Sequence, residues 1–197
     1  MSGWGLGGIT ALGAFHGVNP AMGWLFAVAI GLQAGSRRAL LLALPPIALG
    51  HLASVGLTLL VVGELQSVVS EWTLRLGGFA ALVVFAWWRL VRPHAHPRWV
   101  GMRIRRRELA VWSFLMSTAH GAGVMLFPFA LAAHVHERVA AEALLLHTLA
   151  MIVVAAAAAL IVYEVVGVGI LRRGWVNLDR VWAYALGAGA AATLFVG

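Results

Sequence analysis

Phe15-His16-Gly17-Val18-Asn19-Pro20-Ala21-Met22-Gly23 is the stretch on which the fold turns. It sets a histidine and an asparagine beside a proline inside Gly3 to Gly35, a run without a charged side chain. Proline removes a backbone donor and disfavours helix at the residue before it, so a helix over about Trp4 to Ala34 is predicted to break or kink at Asn19-Pro20. In hydrocarbon, irregular backbone and ionisable side chains survive only when buried in protein or lining a watery path, which makes the stretch a candidate functional site. Gly13-x-x-x-Gly17 and Gly31-x-x-x-Gly35 flank the break and permit close helix approach.

Outward from there, the composition sets the class. Of 197 residues 62% are hydrophobic and 11% charged, and the mean hydropathy is +0.92. Apolar runs repeatedly exceed the length that crosses a bilayer core of about 30 Å. The expectation is an all-α polytopic membrane protein, with the lipid bilayer as its surroundings. Cysteine is absent, which excludes disulfides, thiolate metal sites and thiol relays. The net charge of +7 comes from arginines in short loops, a pattern of membrane topology rather than nucleic-acid binding. The first charged residue is Arg37, so the first apolar segment is expected to be retained rather than cleaved as a signal peptide.

Six spans are predicted. The second covers about Ala39 to Gly63, kinked by Pro45-Pro46, with His51, Ser54 and Thr58 on one face at i, i+3, i+7. A weakly acidic loop over Glu64 to Arg75 leads to the third, about Leu74 to Val91. The fourth runs from Leu109 to Ala133 with Ser113, Ser117 and His120 on one face, the fifth from Glu142 to Ile170 with His147 and Glu164, and the sixth from Val181 to Val196. Placing both termini outside puts 12 of the 14 arginines on the inner side, the orientation expected of an inner-membrane protein.

The halves echo each other. His16-Gly17 with Pro20 and Met22 opens one three-helix unit, and His120-Gly121 with Met125 and Pro128 opens the next, each followed by a second histidine, His51 and His147. Two inverted three-helix repeats, 1–91 and 109–197, joined by a basic cytoplasmic loop, 92–108, are the expected organisation. With a rise of about 1.5 Å per residue, His16, His51 and His120 fall near the midplane, and His147, about five residues into its helix, nearer the outer surface. Imidazoles suit Ni, Co, Zn or Cu, and thioethers from Met22 and Met125 would favour Cu(I). His16, His51, His120 and His147 are therefore candidate metal ligands, with Asn19, Met22, Ser54, Thr58, Ser117 and Met125 supporting them. His94-x-His96 on the inner side and His134-x-His136 on the outer side are candidate capture and release points. Glu164, the only carboxylate well inside an apolar run, is a candidate proton carrier or a partner of Arg172 or Arg173.

The helix-1 stretch, then Gly50-His51-Leu52-Ala53-Ser54-Val55, then Trp87-Trp88-Arg89 leading into a His-x-His loop, resembles the nickel/cobalt exporter (NicO-type) branch of the LysE-like transporter superfamily. The resemblance implies six helices, export of a divalent transition-metal cation as substrate, and metal-handling roles for His16 and His51. The chain departs from that pattern after Pro20, where Ala21-Met22-Gly23 stands in place of Gly-His-Gly, and His120 is the candidate replacement for the missing ligand.

No ATP-binding loop, haem-attachment motif or nucleophile elbow occurs, so energy coupling by ATP within the chain is not expected and proton exchange is the expected energy source; on the transporter reading the chain is not expected to be an enzyme. The competing expectation is a static metal or haem centre using the same histidines, in electron transfer, in an enzyme or as a complex subunit. A homo-oligomer is compatible with either.

Overall fold

The computed structural model describes residues 3–91, 106–126, 129, 137–166, 187, 190 and 191, among which all regular structure is helical. The first predicted span is two helices, α1 (Gly3–Val18) and α2 (Trp24–Ala34), separated by Asn19 and a 3-10 turn at Pro20–Met22. The break satisfies its own backbone. Asn19 N–H donates to the His16 carbonyl at 3.1 Å, Ala21 N–H donates to Asn19 Oδ1 at 3.0 Å, and Trp24 Nε1 donates to the Val18 carbonyl at 3.4 Å. A chain break closed in this way can lie inside a protein without water.

The second predicted span comprises α3 (Arg37–Leu41) and α4 (Leu44–Val68). Pro45 and Pro46 do not kink it midway; they occupy the first turn of α4, where a missing N–H leaves no bond unmade. The loop predicted over Glu64 to Arg75 shrinks to Val69 and Ser70. Ser70 Oγ accepts from Thr73 N–H at 3.2 Å and starts α5 (Glu71–Val91), with Glu71 in the first turn where the helix dipole favours an acid.

α6 (Arg106–Ala119) stops well short of Ala133. Gly121 takes a left-handed φ of 68°, Gly121 N–H donates to the Thr118 carbonyl at 3.0 Å and Ala122 N–H to the Ser117 carbonyl at 2.9 Å, which closes the helix in a Schellman turn. A 3-10 turn at Val124–Leu126 follows. The same closure ends α2, where Gly35 has φ 57° and Ser36 N–H donates to the Gly31 carbonyl at 3.0 Å. Gly35 is thus a cap rather than a packing site, and of that pair only Gly31 makes a close approach, to Leu40 and Tyr163. α7 (Glu137–Ile161) begins at Glu137 rather than Glu142 and ends in a π-helical turn, Val162–Val166.

Helices of the two halves interleave: α1 packs along α7 and α4 along α6. A Cβ on Gly13 would overlap the His147 carbonyl, one on Gly17 the Met151 carbonyl, and one on Gly50 the Ala110 carbonyl, so both pairs meet backbone to backbone. The main apolar core joins Trp24 and Val28 of α2 and Leu40, Leu44 and Ile47 of α3 and α4 to Met151, Ala155 and Ala159 of α7.

Polarity runs from inside to outside. His16, Asn19, His51, Ser54, Ser113, Ser117, His120, His147 and Thr148 are buried, while Leu49, Leu57 and Leu60 of α4 and Leu145, Leu149 and Val153 of α7 are exposed. Among the described residues two helices, Arg37–Val68 and Ala140–Val165, are long and apolar enough to cross a membrane. His94, His96, His134 and His136, the basic segments 92–105 and 171–180, and most of the predicted sixth span lie outside the described residues.

Gly13→Ala and Gly50→Ala each force two backbones apart and are expected to lose about 1–3 kcal/mol. Gly77→Ala in α5, where a Cβ meets nothing, gains up to about 1 kcal/mol from helix propensity. Thermal unfolding of the purified variants in detergent checks both directions.

Candidate metal centre

Three of the four predicted histidines come together. The rings of His16 on α1, His51 on α4 and His147 on α7 are all buried, with centroids 5.5 Å apart for His16 and His51, 5.0 Å for His16 and His147, and 5.3 Å for His51 and His147. The glycine crossing explains the closest pair: with no side chain on Gly13, α7 lies against α1 and the His147 ring reaches the Ile9 carbonyl. His147 stands level with the others in the bundle: α7 starts at Glu137 rather than Glu142, so its ring is ten residues into the helix, about 15 Å along it. His120, the expected third member, is buried at the end of α6, within electrostatic reach of His16.

Hydrogen bonds assign the ring protons. Nδ1 of His16 lies 2.8 Å from the Leu12 carbonyl, Nδ1 of His120 2.8 Å from the Met116 carbonyl, and Nδ1 of His147 3.3 Å from the Ile9 carbonyl. A carbonyl only accepts, so Nδ1 carries the proton in each. His51 differs: its Nδ1 lies 2.9 Å from Ser117 Oγ, and Ser117 Oγ–H donates to Met22 Sδ at 3.7 Å. The hydroxyl has one proton: given to sulfur, it leaves the oxygen to accept from His51 Nδ1–H, and given to His51 Nδ1, it moves the ring proton to Nε2. The other three rings keep their lone pair on Nε2, and Nε2 of both His51 and His147 is buried with no hydrogen-bond partner. An imidazole held through one nitrogen by a carbonyl or hydroxyl, with the other nitrogen bare, is prepared as a metal ligand.

Three imidazoles bound at about 2.0–2.1 Å around a tetrahedral ion have centroids about 5 Å apart, which is the spacing here. The planes are not yet those of a ligand set. Among the described residues no three His, Asp or Glu side chains converge on one point. His51 and His147 are stacked with 14° between their planes, so their lone pairs lie in parallel sheets. Rotation about χ2, a broad torsion in histidine, is the movement that tilts one plane toward the other. Rings in mutual contact leave no porphyrin-wide slot between them, so a bare ion suits the cluster better than haem.

The remaining predicted residues divide by their partners. Asn19 caps the 3-10 turn, Thr58 Oγ1–H donates to the Ser54 carbonyl at 3.0 Å, and Ser54 Oγ pairs with Thr118 Oγ1 at 2.8 Å, which ties α4 to α6. Met22 joins the histidine network, whereas Met125 packs with Leu82 and Ala190 in an apolar cluster. Glu164 pairs with Arg37 at an exposed position, its Oε2 accepting from Arg37 at 2.8 Å, while Arg172 and Arg173 lie outside the described residues. Thr118 and Thr148 are missed from the sequence. Thr148 Oγ1 is buried without a hydrogen-bond partner, and its only signal in the sequence is a hydroxyl next to His147 within an apolar run.

Asn19→Ala removes the cap on the break and is expected to lower stability by about 1 kcal/mol, read as a fall in Tm. No protein-family model, curated protein or solved structure matches the chain.

Proposed function

We propose that the protein is a six-span inner-membrane transporter, built as two inverted three-helix repeats with both termini outside. Its substrate is a divalent transition-metal cation of the Ni, Co or Zn kind, exported through His16, His51 and His147 with His120 beside them. The observation that carries the proposal is the pair of buried, unpartnered Nε2 atoms on His51 and His147, in ring contact with His16.

Local parallels support the repeat. His16 near the end of α1 and His120 at the end of α6 each donate Nδ1–H to the carbonyl four residues back, and each is followed by a 3-10 turn containing a methionine, Met22 or Met125. The cross-packing of α1 on α7 and α4 on α6 is the exchange a two-fold relation produces. The leucine-rich exposed faces of α4 and α7 favour lipid contact, since water-soluble proteins put such faces inside.

The charge of the cargo follows from the helix ends. His16 and His120 sit where interrupted helices end, and a helix C-terminus carries partial negative charge, which favours a cation. Glu164, paired with Arg37 on the surface, is poorly suited to carry protons through the core. Proton exchange then falls to the imidazoles, because a metal ion and a proton compete for the same Nε2 lone pair. A static metal centre remains the second reading, favoured by the close fit of three rings around one ion.

Reconstituted in liposomes with Ni(II) on one side and a pH gradient, the wild type is expected to show gradient-dependent flux. His51→Ala and His147→Ala should each reduce it at least about tenfold. Flux unchanged in both variants overturns the proposal, and gradient-independent binding without flux favours the static centre.

A further inference from the structure

We infer that Ser117 is the positioning residue of the histidine cluster, and that the thioether of Met22 sets the direction in which it acts. The inference rests on the transporter reading only for its consequence in metal affinity; the hydrogen-bond geometry stands by itself.

His16, His120 and His147 meet backbone carbonyls through Nδ1, and a carbonyl cannot donate, so their tautomers are fixed by the helix itself. His51 alone meets a hydroxyl, which can donate or accept. If Ser117 Oγ–H pointed at His51 Nδ1, that nitrogen would hold the lone pair and Nε2 the proton. The imidazole carries one ring proton either way, so the choice leaves its charge unchanged and decides only whether Nε2 can bind a cation. Met22 Sδ takes the serine proton at 3.7 Å and thereby keeps the lone pair on Nε2. All three residues are buried, so no bulk water competes for these bonds.

The three partners come from three separate elements: His51 from α4, Ser117 from α6 and Met22 from the 3-10 turn that breaks the first span. The broken segment is therefore wired to the one histidine whose ligand state is adjustable. The buried Ser113 and the exposed Thr118 do not share this property. Ser113 Oγ–H donates to the Ile47 carbonyl at 2.8 Å and Thr118 Oγ1–H to the Phe114 carbonyl at 2.8 Å, bonds that hold helices and touch no imidazole.

The test is side-chain 15N NMR of the full chain in detergent micelles, without metal, on wild type, Ser117→Ala and Met22→Leu. Met22→Leu keeps the volume of the side chain and removes only the acceptor, so it guards against misfolding of the serine variant. The expected result is an unprotonated Nε2 on His51 in the wild type and a rise in Nε2–H population in both variants, at His51 alone, with His16 and His147 unmoved as internal references. Zn(II) titration should show about 10- to 100-fold weaker binding in Ser117→Ala. An Nε2–H tautomer of His51 in the wild type, or an identical His51 pattern in all three proteins, overturns the inference. The NMR arm judges Ser117 whether or not the protein binds metal; a wild type that binds no Zn(II) overturns the transporter reading instead.

Discussion

Where α1 crosses α7, the His147 carbonyl occupies the space that a Cβ on Gly13 would fill, and the Met151 carbonyl does the same at Gly17. Such a crossing gains dispersion and weak Cα–H···O contacts over a long seam, and it requires hydrogen in place of a side chain. It also sets the site. Ile9, Gly13, His16 and Gly17 share the face of α1 that α7 covers, so the same approach that seats the helices brings His147 onto Ile9 and against His16. Gly50 against Ala110 repeats the device between α4 and α6, and delivers His51 to Ser117.

A polar interior of this kind holds only if nearly every buried donor has an acceptor. Most of the demand is met by carbonyls already in the helices: Leu12, Met116 and Ile9 for imidazoles, Ile47 for the Ser113 hydroxyl. These bonds cost no new backbone, because a helical carbonyl has a second lone pair to offer. What they leave over among the described residues is a short set, the Nε2 atoms of His51 and His147 at the centre of the ring cluster, with the Thr148 hydroxyl and the Arg75 Nε–H and Trp112 Nε1–H groups elsewhere.

Much of this was legible in the residues themselves, where the signal is local. Pro20 marks a break in any helix, and the break is there; Gly13-x-x-x-Gly17 marks a close crossing, and it is one. Local chemistry misled where it has two uses. Gly35 has the spacing of a packing glycine but serves as a cap, Pro45-Pro46 starts a helix that it was expected to bend, and the charges around Glu137 suit a loop and the first turn of a helix equally well. That last ambiguity displaced His147 by more than a turn and hid its place in the cluster. Partners across helices were beyond reach. A serine at position 117 on a polar face predicts that the face is buried, but nothing within α6 says that His51 and Met22 lie opposite.

The interleaving of helices has a consequence for how the chain is made. At synthesis rates of about 5–20 residues per second, α1 and α4 are finished several seconds before α7, the partner of α1, is complete. During that interval the glycine seam of α1 lacks its backbone partner on α7, and His51 of α4, which can already meet His16, lacks Ser117 until α6 is made. Distance along the chain therefore sets the order in which partners become available, α6 for α4 before α7 for α1, and the three-ring cluster is complete only once His147 of α7 has been made.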